Sequence, residues 1–250
     1  MRLWINLIWI GLLGLVPLGA QNGKSPIGQI TFPLNRVFVT PAGTHRLVIP
    51  PFNMEVFRGD RVETRLDSRC EVRFVSGDVL RLDENSAITL EEGRFSDSTA
   101  WMESRLQAGR VWGTVRQDSA VRRLFIVRTS EAVVATSGGK LDIQRRPSGS
   151  TLVRAFAGEI ALLPASLDEE SLILALREPS PHPAAPESTT TDVPTTEQAA
   201  GGISPRMLQG GQQAEINATG EITISTFEID PEAPPEWVDW NRRRDSYLNP

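Results

Sequence analysis

The sequence has few of the residues from which common active sites are built. Cys70 is its single cysteine, so no disulfide can form within the chain. Its two histidines, His45 and His182, have no neighbours at the spacing that would complete a zinc site of three or four ligands. No metalloprotease, nucleophile-elbow, phosphate-loop or dinucleotide-binding motif is present. We therefore expect no metal, no cofactor and no enzymatic activity.

Charge excludes another class of function. The formal net charge is -5 and the chain has no basic block, so it lacks the electrostatic footprint of a nucleic-acid-binding protein. Carboxylates are too numerous for a glycosidase pair to be excluded by counting. The strongest candidates, Asp83-Glu84 and Glu91-Glu92, have the pattern of solvated turn charges.

The first twenty residues differ from the rest of the chain. A single charge, Arg2, precedes an apolar stretch over residues 7–16, and residues 17–20 are small and helix-breaking. This is the pattern of a secretory signal peptide cleaved after Ala20, so we expect an exported protein. The alternative is an uncleaved membrane anchor, since the apolar run approaches the span of a bilayer.

From residue 29 onward the chain is a series of short segments with β-type alternation, separated by turns rich in Gly, Asp, Asn and Ser. Cys70 shares the apolar side of one segment with Val72 and Phe74, while Glu71 and Arg73 point the other way, which predicts a buried thiol. Residues 96–102 are less regular. The predicted strands are 30–33, 36–40, 47–49, 54–57, 61–64, 68–75, 79–83, 87–91, 110–116, 124–128, 132–136, 141–144, 151–156, 159–163, 207–216 and 221–227.

Composition divides the chain into parts. Residues 179–202 are rich in Pro, Thr, Ser and Ala and cannot bury enough apolar surface to offset their ordering entropy, so they predict a linker. Residues 168–177 fit either a strand or a short helix. The predicted parts are a signal peptide (1–20), a β domain (21–163), a linker (164–202), closing strands of the domain (203–234) and a tail with a short helix (235–250).

An ordered set of motifs runs through the predicted strands. They are Gly-Asp-Arg-Val-Glu-Thr at 59–64, Asp-Ser-Arg-Cys-Glu-Val-Arg-Phe at 67–74, Gly-Asp-Val-Leu-Arg-Leu at 77–82 with Asn85-Ser86, Gly-Arg-Val-Trp at 109–112, Val-Arg-Thr at 127–129 before Ala-Val-Val-Ala at 132–135, Gly-Glu-Ile at 158–160 and Leu-Gln-Gly-Gly-Gln at 208–212. Together they resemble the FecR domain over residues 54–163 and again over 207–216. The resemblance and the strand pattern agree on an all-β fold, a single FecR-like β-sandwich or β-roll domain with a Pro/Thr-rich insertion and a short C-terminal helix.

The resemblance implies a sensing or binding domain in the bacterial periplasm. Signalling FecR proteins are inner-membrane regulators with a cytoplasmic anti-sigma segment before their membrane helix. Here only one charged residue precedes the apolar run, so we expect the domain type without direct control of a sigma factor. A second departure is local: Gly138-Gly139-Lys140 stands where the family usually has a Gly-Thr pair, which predicts a different turn.

Tryptophans are the candidate binding residues, because an aromatic face with nearby polar groups commonly binds sugars. We select Trp112 and Trp101 as ligand-binding candidates; for Trp112 a position in the core is the alternative. We expect Trp237 and Trp240 to clamp the C-terminal helix onto the sheet; the alternative is that these two residues, with Arg243, dock a partner.

The sequence thus predicts a non-catalytic, periplasmic or secreted envelope protein that binds a ligand or a protein partner, in sensing or assembly. Extended strands with free edges would permit a partner peptide to add as a further strand. Two alternatives stay open: a module that binds carbohydrate or peptidoglycan, and a structural scaffold of the envelope. The expected partner is an envelope protein or a cell-wall glycan, with membrane contact only if the N-terminal segment is retained.

Overall fold

The computed structural model describes residues 25–168, 170–173 and 204–248. Within these ranges the chain forms fifteen strands, a short helical stretch at 170–173 and one helix near the C-terminus, Glu236–Ser246. The predicted all-β class is therefore confirmed. In chain order the strands are β1 (Gly28–Leu34), β2 (Val37–Thr40), β3 (Met54–Val56), β4 (Arg61–Thr64), β5 (Arg69–Phe74), β6 (Val79–Leu82), β7 (Ala87–Phe95), β8 (Thr99–Val115), β9 (Arg122–Arg128), β10 (Ala132–Thr136), β11 (Gly139–Arg145), β12 (Thr151–Pro164), β13 (Arg206–Gln209), β14 (Gln212–Ile216) and β15 (Ile222–Thr226).

The strands form two layers. Sheet A has the order β3-β1-β5-β6-β8-β11-β12-β14-β15, and sheet B has the order β2-β4-β7-β8-β9-β10-β12-β13. All of these pairs are antiparallel except β8 with β9, which is parallel. The long strands β8 and β12 belong to both sheets and join the two layers.

Glycines allow β8 and β12 to cross from one sheet to the other. The change of partners falls at Gly109 in β8 and at Gly158 in β12, whose φ angles are +84° and +79°. Glycine reaches positive φ without the steric cost that a Cβ atom brings. The sequence predicted that the strand after residue 151 ends at a turn before Gly158, and this is wrong, because the glycine bends the strand without ending it.

The core lies between the two sheets. Apolar side chains from both sheets form one buried cluster, in which the ring of Phe74 on sheet A meets that of Phe125 on sheet B at 6.1 Å between centroids. Cys70 lies within this cluster and is fully buried, as its position in the alternation predicted. Burial and the negative charge of Glu71 both raise the pKa of the Cys70 thiol, so the residue acts as a small core hydrophobe.

Other predicted boundaries need correction. Of the stretch 96–102, residues 96–98 form the irregular connection that was predicted, but Thr99 already begins β8, which runs without a break to Val115. The predicted strand 207–216 is two strands, β13 and β14, separated at Gly210-Gly211. Residues 47–49 contribute only a bridge between Val39 and Val48.

The segments around the predicted linker add to both sheets. Leu167 and Leu172 are buried against the outer face of sheet B, so packing continues past residue 163. Of the two forms expected for residues 168–177, the short helix is observed over 170–173. After residue 203, β13 pairs with the second half of β12 and β14 with its first half. The predicted signal peptide and residues 179–202 lie outside the described residues.

In the described part of the chain, no helix combines the length and apolarity that crossing a membrane requires.

Candidate functional site

The outer face of sheet B contains a cavity of about 520 Å³. It lies where β8, β9, β10, β12 and β13 run side by side, and it includes Trp101, one of the two predicted ligand-binding residues. Its lining consists of Arg94, Thr99, Ala100, Trp101, Arg122, Arg123, Leu124, Ala135, Thr136, Ser137, Glu159, Ala161, Ile173 and Met207.

The hollow follows from the side chains that strand register brings together. Trp101 lies beside Leu124, and in the neighbouring strands Ala135 lies beside Ala161, which in turn lies beside Met207. An alanine side chain ends at Cβ, so the two alanines leave a depression between the larger side chains on either side. The floor of the cavity is consequently apolar, and it continues the outer apolar cluster of sheet B.

Three arginines and one carboxylate border this floor. The guanidinium of Arg94 lies over the Trp101 ring, 4.9 Å from its centroid, in a cation–π contact. Arg123 is held by the buried carboxylate of Asp78, with its NH1 group 3.2 Å from Oδ2, and it also donates to the Ser76 carbonyl oxygen. Glu159 is exposed and accepts a hydrogen bond from Gln209.

Two buried N–H donors of the cavity residues have no hydrogen-bond acceptor among the described residues: Nε1 of Trp101 and Nε of Arg123. A buried donor without an acceptor costs on the order of 1–3 kcal/mol, and such groups in a folded protein call for an explanation. By contrast, the Thr136 hydroxyl is occupied, since it donates to the carbonyl oxygens of Gly138 and Glu159. Among the described residues that line this cavity, Nε1 of Trp101 and Nε of Arg123 are thus the buried side-chain donors without an acceptor.

Trp112, the other predicted ligand-binding residue, lies on the opposite layer. Its side chain is 1% exposed on the outer face of sheet A, its ring is 4.5 Å from that of Phe156, and its Nε1 donates to Thr114. The structure thus does not bring Trp112 and Trp101 together. Ligand binding by Trp112 stays a prediction, while its burial favours the alternative of a packed residue.

The C-terminal helix covers Trp112. Trp237 is 4% exposed and stacks on Trp240 with 5.5 Å between ring centroids, and the Arg69 guanidinium lies over both rings. Nε1 of Trp237 also donates to Asp142 on β11. This geometry is that of the clamp expected for these tryptophans. Arg243, the third predicted docking residue, is exposed and pairs with Asp239 on the same helix.

Charged residues under this helix escaped the sequence analysis. A row across the outer face of sheet A places Glu71 beside Arg81 and Arg81 beside Trp112, and Asp142 follows on β11. Arg81 donates to Glu71 at 2.8 Å and to Asp245 of the helix at 2.7 Å, with its side chain fully buried. The alternation placed Glu71 on the face opposite Cys70, but a single sequence does not reveal that a distant helix returns to cover that face.

The buried carboxylate of Glu71 has a perturbed pKa. Desolvation acts to raise it, but hydrogen bonds from Arg81 and Thr31 and the charge of Arg81 outweigh that effect. The pKa of Glu71 therefore lies below its usual value, and the residue stays ionised in the fold.

The remaining chemical candidates are dispersed. Among residues 25–168, 170–173 and 204–248, no three His, Cys, Asp or Glu side chains are grouped so as to hold a metal ion. Asp83 pairs with Arg69, and burial raises its pKa. Glu91 pairs with Arg105, and His182 lies outside the described residues.

Comparison with known proteins gives a family match and similar crystal structures. Residues 60–161 match the model of the family described as FecR protein, which confirms the resemblance carried by the sequence motifs. Two crystal structures of a protein from Parabacteroides distasonis ATCC 8503, described as a putative anti-sigma factor, are similar at 18% identity and a TM-score of 0.43. The match covers 67% of this chain and 60% of that one, less than two thirds of its length. No curated protein matches the chain.

Proposed function

We propose, from the premise that the chain carries a FecR domain over residues 60–161, that it is an exported, non-catalytic sensing protein of the bacterial envelope. Its sensing step is the binding of a small ligand in the cavity on the outer face of sheet B. The observation that carries this proposal is the cavity itself, whose lining comes mostly from the FecR domain.

The size and composition of the cavity support this role. Ligand sites are commonly concave spaces of roughly 300–1,000 Å³ with apolar walls and a few placed polar groups. This cavity falls within that range, with Trp101 and Leu124 as walls and the arginines at its border. Nε1 of Trp101, a buried donor without an acceptor among the described residues, would gain a partner from a bound ligand.

The test is a titration with a neutral apolar fluorophore, N-phenyl-1-naphthylamine, into the folded protein. We expect saturable binding to one site, and we expect Ala161→Leu to weaken it at least tenfold because the added side chain occupies the hollow. Ala218→Leu, at an exposed turn away from the cavity, is the matched control. Circular dichroism and thermal melts verify that each variant folds.

If Ala161→Leu does not fold, Met207→Trp, from the partly buried border of the same hollow, replaces it. Absence of saturable binding, or equal binding by both cavity variants and the control, would contradict the proposed role.

A second candidate is the docking of a protein partner at β15, which forms the edge of sheet A in the described part of the chain. The backbone N–H of Asn217 donates to the carbonyl oxygen of Glu221, and that of Phe227 donates to the carbonyl oxygen of Gly211. The odd-numbered residues of β15 therefore direct their backbone groups toward β14. The backbone N–H groups of Ile222, Ile224 and Thr226 therefore point away from β14, where an extended segment of a partner could pair with them.

Substitution of Ile224 by proline tests this second candidate. It removes a backbone N–H that points away from β14, and it leaves the hydrogen bonds between β14 and β15 in place. The readout is crosslinking of the protein to envelope proteins, with identification of the crosslinked partner peptide. We expect loss of crosslinks to β15 in Ile224→Pro. Crosslinks between copies of this chain would instead favour the scaffold alternative.

The glycan alternative has less support. A sugar platform requires an accessible aromatic face, and Trp112 is 1% exposed beneath the C-terminal helix.

A further inference from the structure

We infer that the protein forms a weak two-fold dimer through the edge of sheet B, where residues 47–49 of one copy pair with residues 47–49 of the other. The partner at this edge is thus a second copy of this chain. The inference goes beyond the proposed function and does not depend on it, because the cavity lies on other strands. It follows from an exposed apolar segment that is complementary to itself.

Three large apolar side chains are exposed in the connection between β2 and β3. Leu47 is 53% exposed, Ile49 is 73% exposed and Phe52 is 66% exposed. Single apolar side chains on a surface are common, but several within one short segment indicate an interaction surface. This connection therefore has the composition of an interface.

The segment lies at the edge of sheet B, beside β2. Val39 of β2 and Val48 exchange both of their backbone hydrogen bonds, each at 2.8 Å. Because the backbone groups of successive residues in an extended segment point in opposite directions, those of Leu47 and Ile49 point away from β2. No described residue accepts a hydrogen bond from the N–H of Leu47 or Ile49. Both residues can therefore pair with a further strand.

Side-chain direction follows from the same contact. Val48 lies opposite the fully buried Val39 and shares the inner face of sheet B with it. Successive side chains alternate between the two faces, so those of Leu47 and Ile49 project to the outer face. Their exposure agrees with this assignment.

The segment is complementary to itself in an antiparallel arrangement. A two-fold axis at Val48 sets Leu47 of each copy opposite Ile49 of the other, and these are the residues whose backbone groups point outward. Each such pair would exchange its backbone hydrogen bonds and bring two apolar side chains together. A shift by two residues would set Leu47 opposite Pro51, which has no N–H, or Ile49 opposite the polar His45. The register centred on Val48 is therefore the favoured one.

The area of this surface determines how strong the contact can be. At their exposed fractions, the three side chains offer on the order of 400 Å² of apolar surface per copy. Two such surfaces bury about 800 Å² in total, below the roughly 1,200–2,000 Å² of stable protein–protein complexes. We therefore expect a weak dimer, with a Kd on the order of 100 µM. Because both copies use the same edge, the assembly closes at two chains.

Sedimentation velocity of the folded protein at about 5–500 µM tests the association. The sedimentation coefficient should rise with concentration to the value of a dimer and then stay constant. Ile49→Lys should raise the Kd at least tenfold, since it replaces an apolar contact on both sides of the axis by a charge. Ile224→Lys is the matched control at β15, the edge of sheet A far from β3, and it should leave the Kd unchanged. Thermal melts verify that both variants fold.

A cysteine on the two-fold axis tests the register. In the proposed pairing Val48 lies opposite its own copy as a non-hydrogen-bonded pair, with Cα atoms about 4.5 Å apart, a separation that a disulfide can span. Val48→Cys should therefore form a disulfide-linked dimer on mild oxidation. Cys70 is buried and should take no part. Ile224→Cys, the matched control, should stay monomeric under the same conditions.

Three outcomes would overturn the inference. The first is a protein that stays monomeric over the whole concentration range. The second is a dimer that Ile224→Lys weakens and Ile49→Lys does not, which would place the contact at β15. The third is a monomer that binds phosphatidylglycerol vesicles and loses that binding in Ile49→Lys, which would assign the segment to a lipid surface. The fluorophore titration of the cavity is a separate measurement, so failure of the dimer leaves the proposed function standing.

Discussion

At the scale of single residues, Gly158 determines how β12 passes from sheet A to sheet B. A Cβ atom at this position would lie 2.3 Å from the carbonyl oxygen of Gly138, and the φ angle of +79° is one that L-residues rarely adopt. Gly139 faces Gly158 in the register with a φ of +127°, so two backbones approach closely where the family usually has a Gly-Thr pair. The departure seen in the sequence thus coincides with a tight backbone crossing.

Gly158→Ala should lower the free energy of unfolding by more than about 2 kcal/mol, because a left-handed conformation alone costs an alanine roughly 1–2 kcal/mol and the clash adds to it. Gly211→Ala is the matched control. It has a φ of +87° but nothing within 4 Å of the added Cβ, so it should cost only the conformational part. Urea denaturation of both variants measures the difference, and equal losses would contradict the crossing as the cause.

At the scale of elements, the C-terminal helix is held to sheet A by buried charge as well as by tryptophan. Asp245 accepts hydrogen bonds from Arg81 and Thr114, and its second oxygen lies 2.8 Å from Nζ of Lys140. Removal of Asp245 leaves Glu71 as a carboxylate partner of Arg81 but deprives the buried NH1 group of its charged acceptor, which is more costly than the loss of a surface pair.

Asp245→Ala should therefore destabilise the fold by about 3–5 kcal/mol, as breaking a buried pair typically does. Asp239→Ala, on the same helix, removes a partner of the exposed Arg243 and should change stability by less than about 0.5 kcal/mol. Guanidinium denaturation followed by tryptophan fluorescence tests both. A small effect of Asp245→Ala would mean that the helix is fixed by its tryptophans alone.

The same network predicts an acid response. Because the pKa of Glu71 is lowered in the fold, its ionised form contributes stability that is fully present above its usual value of 4.5. That contribution is lost as the pH falls through the lower folded-state value. Glu131, whose pKa is also lowered, acts in the same direction, and Asp83, whose pKa is raised, opposes them.

Glu71→Gln should thus be less stable than wild type at neutral pH and should show a weaker loss of stability below about pH 4.5. Urea midpoints measured from neutral pH down to pH 2.5 test this expectation. If stability fell with pH equally in the two proteins, the ionised form of Glu71 would not contribute to the stability of the fold.

Most elements could be predicted from the sequence, because period-two alternation and turn residues are local signals. The burial of Cys70 and the strand at 132–136 are examples. The continuity of β8 and β12 could not be predicted, since a glycine at a bend and a glycine at a turn have the same sequence pattern. The register that joins Glu71, Arg81 and Asp245 depends on a contact between residues far apart in the chain.

At the scale of the whole molecule, the two layers have different outer faces. Sheet A has a charged outer face covered by the C-terminal helix, and sheet B has an apolar outer face that contains the cavity. The sequence identified Trp101 as a candidate but paired it with Trp112. Only the fold shows that β8 presents the first of these tryptophans on sheet B and the second on sheet A.

The most direct measurement of the central claim follows the indole N–H signals in nitrogen-15 NMR spectra during titration with N-phenyl-1-naphthylamine. The indole signal of Trp101 should shift progressively and saturate, while those of Trp112 and Trp237, beneath the helix on the other layer, should stay in place. Assignment uses Trp101→Phe, which removes one signal. Shifts confined to Trp112 and Trp237, or no saturable shift at Trp101, would contradict a binding site on the outer face of sheet B.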